Sequence, residues 1–232
     1  MFTRFIRLIL ITLAVLSLST ACARDSGAGP WQEEFDISEC NMLSEGRSRY
    51  FVMEPGFQLV LEDDDTKLQV TVLDETKTVD GVVTRVVEER EWVDGALYEI
   101  SRNYFAMCES TKDVFYFGED VDFYKGGKVV KHDGSWLAGT DGSRAGLIMA
   151  GTPTLKMMYY QEIAPGVAMD RAEIVSLDET CKTPAGTFSK CMKVKEGTAL
   201  NINEAEYKYY APDIGLIRDE NLRLIKYGSV KN

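Results

Sequence analysis

The sequence predicts a mostly β protein, an antiparallel meander forming a half-open barrel or sandwich with little helix. Three observations carry this expectation. Val79-Asp80-Gly81 and Val93-Asp94-Gly95 separate long runs, and Asp-Gly is the strongest short-range hairpin signal because both central residues of a type I′ turn need φ > 0. From Thr66 the runs alternate with period 2: Leu68, Val70 and Val72 share one face, while Lys67, Gln69 and Thr71 take the other. Near the end, Pro184-Ala185-Gly186 and Ala211-Pro212-Asp213-Ile214-Gly215 are turn chemistry between alternating runs, so three to four consecutive antiparallel strands close the chain.

Residues 1–23 are excluded from the fold. Arg4 and Arg7 precede an apolar run from Leu8 to Leu18 that is too short to span a bilayer, and Ser19-Thr20-Ala21-Cys22-Ala23 follows, which is a secretory signal. Two cleavage readings stay open. Leu18 to Cys22 resembles a bacterial lipobox, in which Cys22 becomes the lipidated N-terminus and anchors the protein to the membrane of the cell envelope. Ala21-Cys22-Ala23 also satisfies the rule for ordinary secretion to the periplasm or beyond. Residues 24–30 are small and polar, a flexible tether, and 31–232 form a single β domain.

Within that domain a helical turn is expected around residues 37–43, and residues 50–61 read as strand, turn, strand about Pro55-Gly56. The meander covers residues 66–78, 82–93, 96–107, 113–117 and 123–131, the last entered through Lys125-Gly126-Gly127. Tyr98, Ile100, Tyr104 and Cys108 make one side of their strand aromatic and apolar, with Arg102 among them. Residues 133–156 carry glycines at 134, 139, 142, 146 and 151 and hold no period, yet Trp136, Leu147, Ile148 and Met149 are too apolar for disorder. This stretch reads as an ordered lid crossing the sheet. Strands resume at 157–162 and 168–178 before the C-terminal hairpins.

One resemblance covers roughly residues 66–227. It rests on Pro184-x-Gly186-x-Phe188 with Cys191, and on Glu206-x-Lys208-x-Tyr210-Ala211-Pro212-x-x-Gly215-Leu216. Tyr116-Phe117-Gly118-Glu119-Asp120-Val121, Gly134-Ser135-Trp136-x-Ala138-Gly139 and Asp141-Gly142 add to it. These residues resemble a group of exported bacterial β-rich proteins and lipoproteins whose function is not established. The group usually has a small flexible residue where Asp213 stands. The resemblance implies fold and export, and no catalytic residue is carried over from it.

The chain holds 26 basic against 37 acidic residues, a net charge of −11, which becomes −13 without Arg4 and Arg7 of the signal. A surface of that sign argues against nucleic acid or an anionic membrane surface as a partner, since phosphate binding needs the opposite charge. Of five cysteines, Cys22 is lipidated or discarded, which leaves four in an oxidising compartment and suggests two disulfides with three pairings. Cys181 and Cys191 flank the Pro184-Ala185-Gly186 turn and can face each other across it, leaving Cys40 for Cys108. Reduced buried thiols are the alternative.

Chemical signatures are sparse. There is no G-x-S-x-G elbow, no G-x-G-x-x-G, no P-loop and no H-E-x-x-H, and His132 is the only histidine. No catalytic residue, metal ligand set or cofactor is therefore assigned. Glu62-Asp63-Asp64-Asp65 and Glu119-Asp120-Val121-Asp122 supply hard oxygens but lack the grammar of a calcium loop, and read as acidic turns that solvate sheet edges. The reading favoured is a non-enzymatic binding or interaction module for an apolar small molecule or an envelope protein. Trp136, Met149, Met157, Tyr159 and Tyr160, in or just after the glycine-rich stretch, are its candidate ligand contacts. A secreted hydrolase using acidic residues and a purely structural surface lipoprotein are the alternatives.

Overall fold

Both Asp-Gly turns adopt the backbone that their chemistry asks for: Asp80 and Gly81 have φ of 48° and 77°, Asp94 and Gly95 of 51° and 75°. They join three long strands of a computed structural model that describes residues 30–230. In chain order the strands are β1 (Met42–Leu43), β2 (Arg47–Ser48), β3 (Phe51–Val52), β4 (Phe57–Glu62), β5 (Thr66–Val79), β6 (Val82–Val93), β7 (Ala96–Cys108), β8 (Val114–Lys125) and β9 (Lys128–Lys131). There follow β10 (Trp136–Leu137), β11 (Arg144–Met149), β12 (Met158–Tyr160), β13 (Glu162–Ile163), β14 (Asp170–Thr183), β15 (Gly186–Thr198), β16 (Asn201–Ala211), β17 (Gly215–Asp219) and β18 (Leu222–Ser229).

The main sheet runs β12-β14-β15-β16-β17-β18-β4-β5-β6-β7-β8-β11-β13. Its two edges belong to one short piece of chain. Met158 pairs with Glu173 of β14, whereas Ile163, five positions on, pairs with Arg144 of β11. Residues 158–163 thus reach from one edge to the other, and the antiparallel sheet is nearly closed into a barrel with one open seam. Near closure leaves little unpaired edge to recruit other strands. Gln32 adds a parallel bridge to Tyr159 beside the seam.

Residues paired across antiparallel strands share a face, so the register reads out the lining. Around β4 to β7 the inward set includes Leu59 and Val70, then Val87 paired with Asn103, then Arg85 paired with Phe105. Toward the end that holds turns 79–82, 108–114 and 183–186 the interior is apolar. The opposite end, with turns 62–66, 93–96 and 219–222, is polar inside.

The N-terminal stretch stops the apolar end. The Arg85 guanidinium donates to the Ser44 carbonyl at 2.9 Å, Gly46 lies against Met107, the Asp213 amide donates to the Arg49 carbonyl, and the Tyr50 hydroxyl donates to the Lys190 carbonyl at 2.9 Å. Residues 44–50 therefore touch β6, β7, β15 and the β16–β17 turn in succession. A Cys40–Cys108 disulfide fixes the start of this plug to the end of β7. Tyr50 and Met53 are almost completely buried in it.

Several expectations need correction. The helical turn is a single 3-10 turn, Ile37–Glu39, before Met42 enters the sheet. Residues 118–122 do not break the meander, because β8 runs through Gly118 with φ of 132°, where a Cβ would collide with the Trp136 carbonyl and the Leu137 Cα. Residues 144–149 of the expected lid are strand β11 in the barrel wall, paired with β8. Cys181 and Cys191 are free buried thiols rather than a disulfide. Thr183 pairs with Gly186, which sets Cys181 opposite Phe188 and Cys191 opposite Glu179, so the two thiols are neighbours without being a directly opposed pair. The signal segment, Cys22 and the tether up to Gly29 lie outside the described residues. Among the described residues no helix is long and apolar enough to cross a membrane.

Candidate functional site

Alternation on three neighbouring strands builds a polar patch inside the barrel. On β16 Glu206, Lys208 and Tyr210 point the same way, and they pair with Glu196, Val194 and Met192 of β15. Lys208 also pairs with Asp219 at the end of β17. Facing them, β4, β5 and β6 present Leu59, Leu68, Val70 and Val87. Between the two walls lies a cavity of about 140 Å³, lined on one side by these four with Phe105 and the Glu89 carboxyl, and on the other by Glu196, Lys208, Tyr210, Leu216 and Asp219.

Glu196 is almost fully used. Its Oε1 accepts from Gln161 Nε2 at 3.1 Å and from the Tyr210 hydroxyl at 3.0 Å, and its Oε2 stands 2.9 Å from Lys208 Nζ. Lys208 is also 3.3 Å from Glu206 and 4.0 Å from Asp219. Burial alone would lower the Lys208 pKa, yet Asp219, Glu196 and Glu206 together hold it well above the ordinary lysine value. Burial raises the Glu206 carboxyl, with Lys208 opposing and Asp219 and Glu196 adding to it. Asp219 Oδ1 is buried and has no hydrogen-bond partner among the described residues.

A second acidic zone lies around the wall from it. Glu119 of β8 faces inward opposite Asn103, and burial lifts its carboxyl to about 8, against a hydrogen bond with Tyr116 and with help from Glu89, Glu99 and Asp170. Glu162 of β13 is raised well above the ordinary value by burial, Asp170 and Glu119. The Tyr116 hydroxyl donates to Asn103 Oδ1, while Asn103 Nδ2 donates to the Val87 carbonyl at 3.2 Å. The interior therefore grades from apolar at the plugged end to carboxyl-rich at the other.

The five candidate contacts are distributed differently from this cavity. Trp136 is buried with its ring centroid 5.4 Å from that of Tyr116, in an edge-to-face contact, and its Nε1 has no partner among the described residues. Tyr159 pairs with Ala172 and faces the same interior, where burial and Glu196 raise its pKa; Met149 is packed in the core. Met157 is half-buried, and Tyr160 turns outward against Trp31, 6.2 Å between ring centroids. None of the five lines the cavity. What the sequence reading missed is the polar patch: Glu206-x-Lys208-x-Tyr210 share one strand phase, and only their partners in the fold show that it faces the interior.

Of the two acidic runs the first is a turn and the second is strand. Asp63 Oδ1 accepts from the amides of Asp65 at 3.0 Å and Thr66 at 2.8 Å, so that carboxylate holds its own β4–β5 turn. Residues 119–122 alternate along β8. Glu119 faces in, while Asp120 meets Lys77 at 3.0 Å and Asp122 meets exposed His132 at 2.8 Å.

No family model matches this chain, and no curated protein matches it. Among solved structures, it is similar to the crystal structure of a protein described as a "putative lipoprotein" from Parabacteroides distasonis. The match has 14% identity and a TM-score of 0.38, covering 79% of this chain and 100% of that one.

Proposed function

We propose that the protein is an exported, lipid-anchored component of a bacterial cell envelope whose barrel is a non-enzymatic binding module for a small, largely apolar molecule held in its interior. The observation that carries this reading is the cavity of about 140 Å³ between β4, β5, β6 and β16, β17, with apolar side chains around most of its wall and its polar groups, Glu89 apart, gathered on β15, β16 and β17. That distribution is the one expected of a ligand pocket, in which apolar surface supplies affinity and a few polar groups fix orientation. Signal and lipobox supply the anchor, with Cys22 as its attachment point and residues 24–30 as the tether.

Filling the cavity tests the reading. Val70→Phe places extra volume on its apolar wall while leaving the polar patch intact. Native mass spectrometry of protein purified from membranes should show a small-molecule adduct on the wild type that is absent from this variant. A wild type that carries no adduct and binds no short-chain amphiphile would overturn the proposal. Cys22→Ser tests the anchor separately, since it should release the protein from membranes and abolish fatty-acid labelling. A wild type already soluble with its N-terminus at Arg24 would remove the lipid anchor from the proposal.

A further inference from the structure

We propose that the cavity takes a small cationic amphiphile, a primary ammonium on a short hydrocarbon tail, with the ammonium donating to Asp219 Oδ1 and the tail lying along Leu59, Val70, Val87 and Phe105. This inference rests on the barrel being a binding module and adds the chemistry of the head group.

Two observations on the polar side of the cavity point to a cation. The first is a missing donor. Glu196 is satisfied by Gln161, Tyr210 and Lys208, but Asp219, 6% exposed, keeps one oxygen with no partner among the described residues, and this residue lines the cavity. A buried carboxylate oxygen without a donor is costly, and a ligand that brings one recovers that cost. The second is charge. Lys208 serves three carboxylates, close to Glu196 and Glu206 at 2.9 and 3.3 Å and most distant from Asp219 at 4.0 Å. One ammonium among that many carboxyl groups leaves the patch short of positive charge.

Those facts rank the head groups. An ammonium gains a charge-assisted hydrogen bond, a hydroxyl gains only a neutral donor, and a carboxylate meets repulsion. A fatty acid is therefore the wrong ligand, although the apolar wall alone would accept its tail. The approach favours the same sign. Glu62 pairs with Arg223 just beyond the turn that follows Asp219, so Glu62-Asp63-Asp64-Asp65 stands beside the same end of the barrel and draws cations toward it.

Calorimetric titration of the full mature protein with n-alkylammonium, n-alkanol and n-alkanoate series from butyl to octyl tests the head group. At matched chain length the ammonium should bind about tenfold or more tighter than the alcohol, and the carboxylate weakest. Asp219→Asn, which keeps the shape and removes the charge, should cost ammonium affinity about tenfold and leave the alcohol nearly unchanged. Equal binding of ammonium and alcohol, or tightest binding of the carboxylate, overturns the cationic head while leaving the binding module standing. If no probe of any head group binds, the module itself falls and this inference with it. The head-group order in the unaltered protein decides the matter even if Asp219→Asn fails to fold.

Discussion

Inside the barrel the Lys208 ammonium stands 2.9 Å from the Glu196 carboxylate, on the neighbouring strand, and the two side chains are only 23% and 10% exposed. Such a pair is weak evidence of net stabilisation, because desolvating two charges offsets most of their attraction. Its asymmetry is the testable part. Removing one partner leaves the other buried and unpaired, so Lys208→Met should lower stability by about 3 kcal/mol in urea titration. Adding Glu196→Gln to that variant should cost much less than the sum of the two single changes. Strict additivity would mean that Lys208 and Glu196 do not act as a pair.

The raised carboxyls give the protein an unusual pH profile. Glu119 titrates near 4.5 in an unfolded chain and at about 8 in the fold, so the folded state binds its proton more tightly. The stability this proton contributes is complete below about 4.5 and is lost as pH rises through about 8. Glu162 and Glu206 shift in the same direction, whereas Asp120 and Glu54 are lowered and contribute stability that is lost as pH falls through their titration. The melting temperature should therefore fall between about pH 5 and pH 8, where most proteins are near their maximum. Glu119→Gln should flatten that decline. A melting temperature that rises over the interval would show these groups ionised without penalty.

The two cysteine pairs should behave oppositely. Cys40 and Cys108 close a loop of 68 positions, and chain entropy gives about 4 kcal/mol for such a link, so Cys40→Ala should destabilise by roughly that much. It should also speed amide exchange in residues 41–53, which the bond holds against the apolar end of the barrel. Cys181 and Cys191 are buried thiols; burial raises both, Cys191 to about 12, with Cys181 as its near neighbour. Neither should react with iodoacetamide at neutral pH until the chain is unfolded. Non-reducing peptide mapping that recovered Cys181 joined to Cys191 would refute this assignment.

How far the sequence could be read depended on whether the interaction was local. Asp80-Gly81 and Asp94-Gly95 state their turns in two residues, and the Leu68, Val70, Val72 alternation states its strand, so β5 to β7 were legible. The closure was not, because residues 158–163 pair with β11 behind them and β14 ahead, and nothing local specifies either partner. Residues 119–122 read as an acidic turn, because what carries β8 through them, the close approach of Trp136 to Gly118, lies 18 positions on in the chain. The polar patch was hidden for a different reason. Charge alternating along Glu206-x-Lys208-x-Tyr210 looks the same whether that face meets solvent or the barrel interior, and only the partners Glu196 and Asp219 show which.

Trp136 separates packing from hydrogen bonding in one experiment. Its indole is 6% exposed and packs edge-to-face on Tyr116, so Trp136→Ala removes a large buried surface and should cost about 4 kcal/mol. Its Nε1 proton, however, has no acceptor among the described residues, and an unpaired buried donor costs about 1–3 kcal/mol. Trp136→Phe deletes that donor while keeping a ring against Tyr116. The gain from removing the orphan offsets much of the lost volume, and the Phe variant should lie within about 1.5 kcal/mol of wild type. Urea denaturation of both variants decides it. A Phe variant as unstable as the Ala variant would mean that the indole N–H is satisfied in solution and that its hydrogen bond, rather than the ring, holds Trp136 beside β8.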